Sequence, residues 1–225
     1  MVMVPYLVKS MDHVMGMNER FREKTEGIGD VEVSATYSLY SLALRHRLFV
    51  TLGASLPTGS INERMGSMRL EYPMQLGSGT LAIRPGIVYL GQNELWGWGA
   101  KLSAAQQLGR NDNGYRLGNR FKASIWGSRL VTRSISFSAG LSNEWRGNIR
   151  GADPLLDPLD EPTKDARRQG GRRFDASLGV GLHPQIGPFR GNEFFLQVDI
   201  PVAQSLDGPQ LQKRWGLQLG LQREF

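Results

Sequence analysis

Met11, His13, Met15 and Met17 stand at alternate positions in the segment SMDHVMGMNERF, the densest grouping of soft donors in the chain. Thioether sulfur favours Cu(I), and imidazole accepts copper as well. Met65, Met68 and Met74 follow in a later segment, and all eight methionines precede residue 75. If the two segments meet, they can form a shallow copper site. The competing reading is that these side chains fill a loop interior, because Met packs into irregular gaps at little cost. Cysteine is absent, so neither a thiolate site nor a disulfide is available.

Other candidate chemistry is weaker. Asp153, Asp157, Asp160, Glu161 and Asp165 form an acidic run, but its three prolines and irregular spacing match no calcium loop. A solvated loop is the expectation. The string Gly109 to Gly118 lacks the GK[ST] ending and following helix of a phosphate loop. Its NDNG, like LDG at 206–208, reads as a turn in which Asn, Asp and Gly accept the needed backbone angles. His13, His46 and His183 are the only histidines. They fall on opposite sides of the fold expected below, which would split any triad, so no enzymatic activity is expected.

The elements that position these residues follow from composition and periodicity. The chain has 225 residues, 28 of them Gly, and a mean hydropathy of −0.32. No stretch approaches the roughly 20 apolar residues of a spanning helix, which excludes a transmembrane helical bundle. A net charge of +6 and a pI near 9.8 raise nucleic acid as a partner. However, the basic residues are scattered, and the one dense cluster (Arg167, Arg168, Arg172, Arg173) follows an acidic run. No reading element accompanies it, so nucleic acid is not an expected partner. No linker divides the chain, so residues 1–225 read as a single domain. Met1 to Lys9 (MVMVPYLVK) lacks a basic leader and carries a proline. No signal peptide is present, and the chain is expected to be truncated at its amino end.

Ten segments alternate as strands do. They are Met1–Lys9, Asp30–Tyr40, Leu48–Leu56, Leu81–Gly91, Trp96–Ala104, Phe121–Ile125, Ile135–Leu141, Phe174–Leu182, Phe194–Val202 and Trp215–Phe225. In the last, Trp215, Leu217, Leu219, Leu221 and Phe225 share one face, with Gly and Gln opposite. Glu32, Arg84, Lys101, Lys122, Asp175, Glu193 and Asp199 all fall on the non-apolar face. Arg or Lys at mid-bilayer on a lipid face costs about 2–4 kcal/mol, and this segregation is what that cost predicts. Arg129, Lys213 and Arg223 take the outward face near strand ends, where long side chains reach head groups. Long and short connections alternate, as outside loops and periplasmic turns do. Trp96, Trp98, Tyr89, Phe121, Trp145 and Phe225 sit near strand ends, where barrels carry aromatic girdles. The expectation is an all-β, antiparallel, up-and-down transmembrane barrel. About ten strands are present, from a parent of roughly twelve.

GIGDVEVSATYSLY (27–40), LGASLPTGSINER (52–64), YPMQLGSGT (72–80), RPGIVYLG (84–91) and LGRNDNGYRLGNR (108–120) extend the argument. With GNIRGADP (147–154), RQGGRR (168–173) and SLDGPQL (205–211), they give the chain a likeness over nearly its whole length. It resembles the outer-membrane β-barrel family assigned to transport and named for the phenol meta-degradation pathway. That resemblance implies a barrel in the outer membrane of a Gram-negative cell. Family members carry a signal peptide and amino-terminal strands that are missing here. Where they have an aromatic two positions before the terminal Phe, this chain has Arg223, which would weaken recognition by the barrel-assembly machinery.

The expected function is a monomeric outer-membrane conduit for small solutes, aromatic ones among them. Glu32, Arg84, Lys101, Lys122, Asp175 and Asp199 would line its lumen. Its partners would be outer-membrane lipid and, through the strand ending in Phe225, the assembly machinery. The alternative is a plugged barrel acting as a surface binding or structural protein, with copper held by the Met/His segment. No other cofactor is expected.

Overall fold

The computed structural model describes residues 1–14, 20–43, 45–208 and 210–223. Met15, Met17 and Phe225 lie outside them. Ten strands form one antiparallel sheet in near-sequential order. They are β1 (Val2–Met3), β4 (Val31–Leu42), β5 (His46–Leu56), β8 (Ala82–Gln92) and β9 (Trp96–Gln107), then β10 (Arg120–Thr132), β11 (Ile135–Arg146), β12 (Gly171–Leu182), β13 (Asn192–Leu206) and β14 (Gly216–Arg223). Nine of the ten expected strands are there, most of them longer than the alternation alone marked. Two small hairpins stand outside this sheet: β2 (Tyr6–Val14) with β3 (Arg20–Ile28), and β6 (Arg64–Met65) with β7 (Met68–Arg69). Among the described residues, β1 and β14 form the two ends of the sheet and do not pair with each other.

Every neighbouring pair from β4 to β14 is antiparallel, so the connections alternate between the two ends of the sheet. Residues 57–81, 108–119, 147–170 and 207–215 connect strands at one end. The short turns after β4, β8 and β10, and residues 183–191, lie at the other. That parity agrees with the expectation.

The apolar face is not covered by a second layer. Leu52, Ile125, Leu178 and Leu219 are 62%, 59%, 63% and 71% exposed, whereas Asp175 on the opposite face is 4% exposed. A sandwich would bury the apolar set against a second layer. Here the greasy face is the bare one.

The expected first strand divides at Pro5. A proline has no N–H for a ladder bond, so β1 ends before it and pairs with β4 through Val2↔Val33, and β2 leaves the sheet. The segment 10–29, expected as a loop, instead completes the β2–β3 hairpin with register Met11↔Glu23 and His13↔Phe21. Its covered face is largely polar, with Glu23 and Thr25 buried, so apolar alternation did not reveal β3.

The long connections pack into a layer with its own core. Tyr72, Tyr115, Ile149, Leu156 and Ala166 cluster there, and Tyr72 meets Tyr115 edge-on with ring centroids 4.9 Å apart. Arg69 and Asp153, both almost fully buried, pair at 3.1 Å and tie two connections together. The Asp153 N–H donates to the Tyr72 hydroxyl at 3.0 Å. Asp30, at the root of β4, accepts from Gly59 N at 3.0 Å and Ser78 N at 2.8 Å, anchoring the first long connection.

Candidate functional site

The inner face carries a belt of charge made from alternate positions of seven strands. Glu32 on β4 pairs with Arg84 on β8. These two, with Lys101 on β9, Lys122 and Arg120 on β10 and Glu144 on β11, line one cavity of about 300 Å³. Glu144 lies opposite both Lys122 and Arg173 in the ladders and is 3.6 Å from the Arg173 guanidinium. Arg173 Nε donates to both Asp175 oxygens, at 3.0 and 2.9 Å. Lys213 Nζ then bridges Asp175 at 3.5 Å and Asp199 at 3.8 Å. Asp199 also accepts from Gln197 and Gln218 at 2.8 and 2.7 Å.

All six expected lumen charges therefore share this face. Glu32, Arg84, Lys101 and Lys122 are gathered in the cavity, while Asp175 and Asp199 form a second group around Lys213. One placement changes: Lys213, expected to reach outward toward head groups, turns inward to those two carboxylates. It precedes β14 on an irregular stretch, where strand alternation does not set direction. Arg120, Glu144 and Arg173 belong to the belt too. Following the alternation past the apolar residues of their strands would have found them. Arg129 keeps the outward face, with its guanidinium 5.2 Å from the Trp96 ring centre.

Two inner aromatics also escaped the pattern. Trp126 sits between Ser124 and Ser128 on the polar side of β10, and its indole lies over Gly99, where a Cβ would meet the ring at 2.3 Å. Phe195 covers Gly220 in the same way, at 2.0 Å. Glycine there lets each ring lie flat along the wall. Both are on the half of the face toward the short turns, away from the charged cavity.

Trp96, Trp98, Phe121 and Trp145 of the expected girdle are 36–48% exposed on the outer face. His46 Nδ1 is 2.8 Å from the Tyr89 hydroxyl. His183 Nε2 lies 3.2 Å from Ser136 Oγ and 3.9 Å from Glu193. Both partners meet the same ring nitrogen, whereas a nucleophile–base relay needs the carboxylate on the other.

His13 and Met11 project from β2 under the loop layer. Met11 packs with Leu70 and Met74. His13 stacks on Phe21 and is surrounded by Glu23, Glu71 and Glu161 at 3.3, 3.6 and 3.8 Å. Burial, with the Glu161 carboxyl alongside, pushes the Glu71 carboxyl up to about 8. In the acidic run, Asp153 is held by Arg69, and Asp165 accepts from Arg167 N at 2.9 Å with the Arg167 and Arg168 guanidiniums nearby. These carboxylates face separate partners rather than a common point. Asn111 Oδ1 accepts from Asn113 N and Tyr115 N, each at 3.1 Å, which makes NDNG the turn expected.

An exposed apolar face backed by a charged one, on an up-and-down sheet, defines an all-β fold of the outer-membrane barrel class. No family model matches the chain, and no curated protein does. Among solved structures it is similar to an outer membrane channel from Pseudomonas putida F1, with a TM-score of 0.62 and 17% identity. The match covers 88% of this chain and 66% of that one, so the chain spans just under two thirds of the channel's length. The likeness establishes the fold. It carries no link to phenol degradation.

Proposed function

We propose that the chain is the body of an outer-membrane barrel, a monomer in lipid, that conducts small solutes along its inner face. The single observation behind this reading is the segregation described above. Side chains such as Leu52, Leu178 and Leu219 are bare, while the ion-paired belt is confined to the other side. Only a hydrocarbon solvent makes the first face stable, and only an aqueous bore makes the second useful.

The cavity is lined by Arg84, Lys101, Arg120 and Lys122 against Glu32 and Glu144, an excess of two positive charges. Beyond it lie Trp126 and Phe195. A small aromatic acid fits both zones, its carboxylate with the bases and its ring against the indole and phenyl. Reconstitution in planar bilayers tests this. Open steps with an anion-favouring reversal potential are expected, and Lys101→Glu with Lys122→Glu should move that potential toward cations. Steps that keep the same selectivity after both substitutions would refute the assignment of the pore lining.

A second reading, a plugged barrel that binds a ligand at its surface, is favoured by the packed loop layer and its buried core. A folded protein that remains electrically silent would select it. Binding of Cu(I) through Met11 and His13 belongs to that reading.

A further inference from the structure

The surroundings of His13 hold an arrangement that conduction does not use. Four separate segments converge there: β2 supplies His13, β3 supplies Glu23, and the connections 57–81 and 147–170 supply Glu71 and Glu161. Glu23 and Glu71 are 5% and 1% exposed. His13 Nε2, Glu23 Oε2 and both oxygens of Glu71 are buried without a hydrogen-bond partner. Burying a carboxylate without a partner costs several kcal/mol unless a cation or proton compensates it. Among the described residues a neighbouring cation is Lys164, 3.8 Å from Glu161.

Both unpartnered carboxyl groups face the imidazole. His13 Nε2 is 3.3 Å from Glu23 Oε2 and 3.6 Å from Glu71 Oε1. Two ligands each about 2.1 Å from one ion at a tetrahedral angle lie about 3.4 Å apart, and ligand atoms of His13, Glu71 and Glu161 all lie within 4.8 Å of one another, so side-chain rotation brings them to that spacing. Glu161 stands beside Glu71, 3.8 Å from the imidazole Nδ1. One imidazole with two carboxylates suits a borderline divalent ion. Calcium would seek six to eight oxygens, and Cu(I) would seek sulfur.

We propose that His13, Glu71 and Glu161 bind a zinc-like divalent cation, with Glu23 beside the imidazole, and that the ion clasps the β2–β3 hairpin to the loop layer. The hairpin is otherwise joined to that layer by a few contacts. Thr25 Oγ1 donates to Met74 O at 2.9 Å, Lys9 Nζ donates to Pro73 O at 2.9 Å, and Met11 packs on Leu70 and Met74.

The test uses the full chain folded in detergent, stripped with EDTA and titrated separately with ZnCl2, MnCl2, CaCl2 and Cu(I). Bound metal is counted after desalting. One zinc per chain is expected, with weaker manganese and negligible calcium binding. Glu71→Gln should lower zinc affinity by at least about 10-fold, and Glu23→Gln, outside the ligand set, should weaken it less. Glu71→Gln also replaces a buried carboxyl crowded by Glu23 and Glu161 with an amide that can donate to either, so the metal-free variant should melt higher than the metal-free parent. A merely structural Glu71 would not combine those two effects, and the higher melting point shows that the variant folds. The proposal is overturned if the folded parent retains no zinc, or if zinc binding is unchanged in Glu71→Gln. It is equally overturned if Cu(I) binds more tightly than zinc and is indifferent to that substitution.

Discussion

Replacing Tyr115 with Ala removes the centre of the loop layer. The side chain is 1% exposed and packs against Tyr72, Ile149, Leu156 and Ala166. Truncating a buried aromatic to Ala costs about 3–5 kcal/mol. The loss falls on the layer and not on the sheet, because none of these neighbours is in a strand of the main sheet. Local opening of residues 147–170 should therefore become more populated while the strands stay paired. At about 3 kcal/mol the open population rises on the order of 100-fold. Proteolysis follows that population when closing outruns cleavage. Brief trypsin exposure of the detergent-folded protein should then cut at Arg150, Lys164 or Arg167 on the order of 100 times faster. Tyr115→Phe keeps the ring and should change the rate far less, since a hydroxyl contributes only about 1 kcal/mol. Unchanged cleavage in Tyr115→Ala would refute a packed layer. Simultaneous unfolding of the strands would refute its independence from the sheet.

Two further outcomes follow from the same geometry. Ile125, in the middle of β10 and 59% exposed, should not tolerate Arg: Ile125→Arg is expected to lower stability by about 2–4 kcal/mol in lipid. Ser124→Arg, one residue away on the inner face, should cost much less, and urea titration in vesicles compares them. Burial pushes the Tyr115 hydroxyl up to about 12, with Asp153 and Tyr72 adding to it against Asn111. Its neutral form is thus favoured in the folded layer. That contribution is complete below pH 10 and is lost as pH rises through 12. Ultraviolet titration should show the exposed tyrosines ionising first and Tyr115 last, together with opening of the layer.

Nine of the sheet's ten strands, their direction and the shared face of charges lying within them were legible because strand geometry converts position in sequence directly into side. Glu32, Arg84 and Lys101 needed no other information. That rule fails where backbone leaves the ladder, and Lys213 shows it: the residue lies before β14, and its direction is set by Asp175 and Asp199 instead. The hairpin was hidden for a different reason. The face of β3 that turns inward bears Glu23 and Thr25, so no apolar rhythm marked it. The convergence of Glu23, Glu71 and Glu161 on His13 joins residues up to 148 positions apart, a distance across which local pattern carries no information. Trp126 was visible as an aromatic at a polar position. What the sequence could not supply was that Gly99, on the neighbouring strand, gives its ring somewhere to lie.

That resting place has a consequence for calibre. An indole flat against the wall occupies almost none of the passage, whereas the same indole standing upright would act as a shutter. A methyl group at Gly99 would meet the ring at 2.3 Å and lift it. Throughput could then be throttled by one carbon atom on a neighbouring strand, with every charge and every membrane-facing residue left as it was.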